Sequence, residues 1–155
     1  MFDVEVDIKI MDERLFHIEG GFPNKAKSGD AAYDVYACID ESIVINPNKV
    51  ELIPLGFAMH IENELFAATL IPRSGQGHKE GIVLGNLTGL IDSGYQGQVY
   101  ASVWNRNSTH HIKIEPLQKI AQLRFVTVPQ IGFNYVNEFK NESDRGDGGF
   151  GHTGK

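Results

Sequence analysis

Cysteine is almost absent. Cys38 is the single one in 155 residues, so no disulfide within the chain can staple the fold. Long basic runs are missing as well, and the formal net charge is −6. That balance argues against a nucleic acid or an anionic membrane surface as partner. It does not exclude a small anionic ligand held by local donors, backbone N–H groups or a cation. No apolar stretch approaches the roughly 20 residues of a spanning helix. The N-terminal residues alternate charge with apolar side chains and lack the apolar centre of a signal peptide. The expectation is a soluble protein of a reducing compartment, the cytoplasm, with no nucleic-acid or membrane partner. Helical patterning is also lacking: no window of about eleven residues carries a convincing apolar stripe.

What the chain does have is alternation. Hydrophobic residues make up 41%, enough for one domain with a real core. In FDVEVDIKIM, Val4, Val6, Ile8 and Ile10 fall on one face and Asp3, Glu5, Asp7 and Lys9 on the other, the period of a half-buried strand. YDVYACI, SIVI, KVELIPLGFAMHI, LFAATLI, GIVLGNL, GQVYASVW, HIKI and KIAQLRFVTV read the same way. NPNK, ENE, SGQG, DSGYQG, NRNST and EPLQ supply the turns between them. GQGHKEG has room for a short helical turn. Many short strands at regular spacing predict an all-β jelly roll, sandwich or barrel in a single domain. The composition turns polar and Gly-rich after Phe139, so residues 1–139 are expected to form the β domain and 140–155 a flexible arm.

Several segments carry side chains with chemistry. The six histidines form no H-E-x-x-H and no C-x-x-C exists, so solvated or packed roles suit them better than a structural zinc. The terminal Gly-Lys lacks the strand, the helix and the following Ser/Thr of a phosphate-binding Walker loop. IPRSGQG follows a strand with Arg73, Ser74 and Gly75, a composition suited to cradling an anion, although an ordinary loop reads alike. GLIDSGYQGQVYASVWN reads as a hairpin whose turn carries Asp92 and Tyr95; Asp92 either shapes the turn or serves as a general base. Asp34, in an apolar strand start, is solvated, paired, or a holder of a metal-bound water. Gln122 is an edge-strand polar residue or an amide aimed at a phosphate.

Taken in order, AAYDVYAC, PRSGQG, GLIDSGYQG with the downstream VWN, KIAQLRF and RGDGGFGHTG resemble the five motifs of the trimeric dUTPases. They occur in family order at family-like spacings between residues 28 and 154. Three departures stand out. Ala32 replaces a usual Gly, Gly94 a common polar residue, and Leu117-Gln118-Lys119 the usual Gly-acid-Arg, which leaves a turn and an ion pair there open.

The resemblance implies a β jelly roll, a homotrimer with active sites shared between subunits, and Mg2+-assisted hydrolysis of dUTP to dUMP and pyrophosphate. That activity limits uracil in DNA and supplies dUMP for thymidylate synthesis. It implies Asp92 as the base that activates water for in-line attack on the α-phosphorus, and as a partner of the sugar 3′-OH. Tyr95 would lie under the sugar, where a 2′-OH collides. Asn86 and the backbone around Leu90, Ile91 and Tyr100 would read uracil. Arg73, Ser74, Gly75 and Gln122 would hold the phosphates, and Mg2+ would sit mainly on phosphate oxygens, with Asp34 on one of its waters. In the arm, Arg145 would fork onto the γ-phosphate, Phe150 would stack over uracil, and Gly151, His152 and Thr153 would add contacts. The rival readings are a dCTP deaminase-related enzyme of the same fold and a dUTPase-like regulatory binding protein.

Overall fold

The computed structural model describes residues 4–148. Every segment with period-two alternation contributes a strand: β1 (Asp7–Ile10), β2 (Tyr33–Tyr36), β3 (Ile43–Ile45), β4 (Val50–His60), β5 (Phe66–Ile71), β6 (Ile82–Leu84), β7 (Gly89–Ile91), β8 (Gln98–Asn105), β9 (Ile112–Ile114) and β10 (Lys119–Thr127). All pairings are antiparallel. One sheet runs β1-β4-β8-β6, a second β2-β10-β5-β7, and β3 pairs with β9. The all-β, jelly-roll-type expectation holds.

The alternation decides what lies between the sheets. β8 turns Val99, Ala101, Val103 and Asn105 inward and Tyr100, Ser102 and Trp104 outward. Leu55, Phe57, Val35, Ile120 and Leu123 are all essentially buried and fill the same core. At about 25 cal/mol per Å² of apolar area removed from water, this core is the main source of stability.

β4 is too long to remain regular. Its register against β8 shifts between Pro54 and Ala58, where Gly56 adopts φ 72°. A Cβ at Gly56 would lie 2.5 Å from Cys38 Sγ and 2.8 Å from Asp12 Cβ. Its carbonyl accepts the N–H groups of Met11 and Asp12, so this bulge holds the chain after β1. Cys38 itself is a free, buried thiol, and burial pushes its pKa up to about 12.

Two short helical turns interrupt the strands. Gln76–Glu80 is a π-helical turn, where GQGHKEG left room for one. Glu13–His17 is a 3-10 turn that the alternation did not announce, because only Leu15 in it is buried. YDVYACI leaves strand geometry at Tyr36. There the chain passes from one sheet towards the other: Ala37 N–H donates to Gln118 O and Cys38 N–H to Pro54 O.

The expected hairpin of GLIDSGYQGQVYASVWN needs correction. Its arms do not pair with each other. β7 pairs with β5 in one sheet, and β8 pairs with β4 and β6 in the other. The loop of residues 92–97 therefore bridges two sheets, and Ile61 N–H ties it to the end of β4 through Ser93 O at 3.2 Å. The reason lies in competition for partners: β5 and β4 are long enough to capture each arm separately. No regular structure follows β10 in residues 128–148. Ile131, Phe133, Tyr135 and Phe139 in that stretch are all more than 60% exposed.

Candidate active site

Two clefts collect the expected site residues, and they share no lining residue. The first has a volume of about 330 Å³ and lies between the arms of β7 and β8, with Asn86, Leu90, Ile91, Asp92, Tyr95 and Tyr100 in its wall. β7 is the edge strand of its sheet, and β6 covers β8 only from Val103 to Asn105. The outer backbone edge of β7 and the free edge of β8 near Tyr100 thus face an open slot, suited to a flat polar ring that can hydrogen-bond to main chain.

Asp92 stands exposed where β7 ends, and its carbonyl accepts Tyr95 N–H at 3.1 Å. Tyr95 is fixed at its other end, its hydroxyl donating to Gln98 O at 2.9 Å. Gly97 makes this possible: a Cβ there would come within 2.6 Å of the Tyr95 hydroxyl. The ring is half exposed, held at its hydroxyl, and lines the same cleft as Asp92. Asn86 lies on the loop before β7, with its amide beside Gly89.

The second cleft, about 310 Å³, is lined by Arg73, Ser74, Gly75, Gln76, Lys79, Glu80 and Gln122. Sheet register builds it. β10 lies between β2 and β5, and Gln122 stands opposite both Asp34 and Ile71. Arg73 follows two residues beyond Ile71, so an amide, a carboxylate and a guanidinium meet at one level. Asp34 Oδ2 lies 2.9 Å from Lys119 Nζ and Oδ1 lies 3.4 Å from Arg73 Nε. Gln122 Nε2 donates to Oδ1 at 3.4 Å. Burial alone would raise the Asp34 pKa, but the Lys119 ammonium, then Arg73 and Gln122, outweigh it and hold the carboxyl below its ordinary value. The Asp34 hydrogen bond in turn raises Lys119.

Arg106, which follows β8, holds the back of this loop. Its Nη2 donates to Gly77 O at 2.7 Å, and Asn107 Nδ2 donates to Glu80 O at 2.8 Å. Asn105 is wholly buried and satisfied: Nδ2 reaches Ile45 O and His110 O, and Oδ1 accepts from Asn107. Asn105 of the VWN segment thus anchors Asn107, which with Arg106 braces the second cleft from behind.

Among the described residues, no three His, Cys, Asp or Glu side chains meet as a cation cage. Asp34 faces two cations, and Glu80 stands apart from it in the cleft wall beside Lys79. A divalent ion fits this donor set only as part of a metal–phosphate ligand, carried on the ligand's own oxygens. Arg145 lines neither cleft; its Nε donates to Gly148 O at 2.9 Å. Phe150, Gly151, His152 and Thr153 lie outside the described residues.

The family model for dUTPase matches residues 19–154. This chain belongs to the dUTPase family. It is 54% identical over 151 residues to the deoxyuridine 5′-triphosphate nucleotidohydrolase of Nitrosomonas eutropha, covering 97% of this chain and 98% of that protein. It is 51% identical to the enzyme of the same name from Psychromonas ingrahamii, with the same coverage. Among solved structures, the Staphylococcus bacteriophage 80alpha dUTPase with dUpNHpp superposes with a TM-score of 0.82 at 25% identity, over 97% of this chain and 99% of that one. A point mutant of the dUTPase from phage phi11 of S. aureus, which coordinates a structural Mg(II) ion, shares the fold. It superposes at 22% identity with a TM-score of 0.75, over 88% of this chain and 99% of that one.

The departure at Leu117 to Lys119 now has a structural reading. Leu117 holds φ 58°, so the turn keeps the left-handed conformation that a glycine adopts freely. Glu115-Pro116-Leu117-Gln118 has Pro second and the positive φ third, the order of a type II turn. Leu117 also packs partly against the core, which offsets some of its strain. Lys119, where the pattern has an Arg, makes an ion pair to Asp34. Sequence reading missed Lys119 as a site residue, together with Gln76, Arg106 and Asn107. The departure at Lys119 and the position of Gln76 inside PRSGQG were the available signals.

Among the described residues, no helix is long and apolar enough to cross a membrane.

Proposed function

We propose that this chain is a dUTP diphosphatase, releasing dUMP and pyrophosphate from dUTP and so limiting uracil in DNA and supplying dUMP for thymidylate synthesis. The observation that carries the reading is the Asp92 carboxylate at the mouth of a slot with two free strand edges, which a tyrosine ring held at its hydroxyl also lines. A uracil ring in the slot meets main-chain groups of Leu90, Ile91 and Tyr100 and the amide of Asn86. Cytosine, with its donor and acceptor reversed, would cover those groups and leave them unpaired, and such sites discriminate steeply. The deoxyribose rests on Tyr95, which leaves no room for a 2′-OH.

Asp92 takes the proton of a water that attacks the α-phosphorus in line with the departing pyrophosphate. Arg73, Ser74, the Gly75 backbone and Gln122 bind and orient the phosphates. A Mg2+ ion held mainly by the triphosphate's own oxygens would neutralise charge on the phosphates that Arg73, Ser74 and Gln122 bind. Asp34, in contact with Arg73 and Gln122, would orient them and would hold a water of the metal.

The slot of one subunit is read as completed by the phosphate cleft of another. A homotrimer supplies that arrangement, and the exposed Ile131, Phe133, Tyr135 and Phe139 give the chain apolar surface to bury in it. Residues 140–155 act as the closing arm, with Arg145 on the γ-phosphate, Phe150 over uracil, and Gly151, His152 and Thr153 along the chain of phosphates. The cytoplasm suits a chain with one buried free thiol.

Pyrophosphate release from dUTP, dCTP, dTTP and UTP, with and without Mg2+, tests the reading. dUTP alone should turn over at an appreciable rate, and only with the metal. Ammonia release from dCTP would support the deaminase rival, and nucleotide binding without turnover the regulatory one.

A further inference from the structure

Two buried polar atoms in the phosphate cleft lack hydrogen-bond partners: Arg73 Nε and Gln76 Oε1. Buried polar groups are nearly always paired, so two in one cleft call for a physical account. They are complementary, a donor and an acceptor. Arg73 O accepts Gly77 N–H at 2.8 Å, and Gly75 is in right-handed helical geometry, so residues 73 to 77 form one helical turn. Residues three apart on such a turn share a face. Gln76 is only 9% exposed although every residue around it on the loop is more open.

At rest, Arg73 Nε lies 3.4 Å from Asp34 Oδ1 without completing a hydrogen bond. Asp34 does not depend on it, because Lys119 at 2.9 Å and Gln122 remain as its partners. The guanidinium is therefore weakly held at one station, with an unmet acceptor on its own turn to serve as another.

We infer that Gln76 is a positioning residue: its buried amide oxygen receives the Arg73 Nε–H when the guanidinium turns from Asp34 to an anion in the cleft. The two terminal nitrogens of Arg73 then face the anion as a fork, the geometry that Arg uses for phosphate. Lys119 keeps Asp34 neutralised during the exchange. The inference rests on reading this cleft as the triphosphate side of the site.

The test uses the full chain, inorganic tripolyphosphate as probe, and two variants. Gln76→Leu keeps the volume and removes the acceptor. Tripolyphosphate should bind about tenfold more weakly, as for loss of a hydrogen bond that orders a charged group. The KM for dUTP should rise with kcat little changed. The melting temperature should rise, because an unpaired buried oxygen is gone. A purely structural role predicts the opposite sign for melting. Gln76→Glu keeps an acceptor. In NMR, the Arg73 Nε–H should become protected from exchange on adding tripolyphosphate to the wild type and to Gln76→Glu, but not to Gln76→Leu. Unchanged tripolyphosphate affinity in Gln76→Leu, a lowered melting temperature, or an unprotected Nε–H in saturated wild type would each overturn the inference. Wild type that binds tripolyphosphate with these signatures yet leaves dUTP intact would instead overturn the proposed function alone.

Discussion

The two clefts solve opposite problems. The slot between β7 and β8 is held ready by covalent and hydrogen-bonded geometry: a loop clamped to β4, a tyrosine pinned to Gln98 O, and a glycine that admits the ring. The cleft of Arg73 and Gln122 is built from charges that occupy one another. Asp34 engages Lys119, Arg73 and Gln122, and two polar atoms beside it remain unpaired. Shape and main-chain pairing can be preset at little cost. A cluster of cations cannot wait beside its ligand without a carboxylate to hold it, and that carboxylate must then share them.

The largest break in this contrast is expected from Asp92→Asn. Turnover of dUTP should fall by a factor on the order of 10²–10⁴, with binding retained, since only the proton acceptor is lost. Retained full turnover would remove Asp92 as the base.

Tyr95→Ala should act on selectivity. The ratio of kcat/KM for dUTP over UTP should drop about ten- to a hundredfold, because the ring that excludes the 2′-OH is gone. An unchanged ratio would move the discrimination elsewhere.

On the charged side the effect is on stability and depends on pH. The folded Asp34 carboxyl lies below its ordinary value of 3.8. Its ionised form is thus favoured by folding, and its contribution is present above that value and lost as the pH falls through the folded one. Denaturation of wild type and Asp34→Asn at several pH values should show a gap that closes below about pH 4. A gap independent of pH would show that the ion pairs contribute nothing.

The smallest effect concerns the turn that carries Lys119. Replacing Leu117 by Gly relieves a left-handed Leu at about 1–2 kcal/mol but loses its packing. Replacing it by Ala loses the packing and keeps the strain. Leu117→Gly should therefore melt higher than Leu117→Ala, the reverse of the usual order of these residues.

Much of this was legible in the chain. Alternation at Val99, Ala101 and Val103 or at Ile53 and Leu55 names a strand and its buried face, because period two is a local property. The hairpin was misread because pairing is not local: β7 and β8 are neighbours in sequence, but β5 and β4 compete for them and win. Asp92, Tyr95, Arg73 and Gln122 could be named as candidates one by one from their motifs. Their division into two clefts depends on strand register, as does the meeting of Asp34 with Lys119, and no short window of sequence carries register. Gln76 was hidden for a different reason. A polar residue in a Gly-rich loop reads as solvated until its burial is known.

Whether the two clefts work on one substrate can be measured directly. Chains carrying Asp92→Asn and chains carrying Arg73→Ala, each inactive alone, are unfolded together, refolded as a mixture and assayed for pyrophosphate release from dUTP. Sites built from two subunits regain activity, because the intact Asp92 of one chain meets the intact Arg73 of another. A mixture no more active than its separate components would mean that each chain keeps its catalytic machinery to itself, and the shared-site account would be wrong.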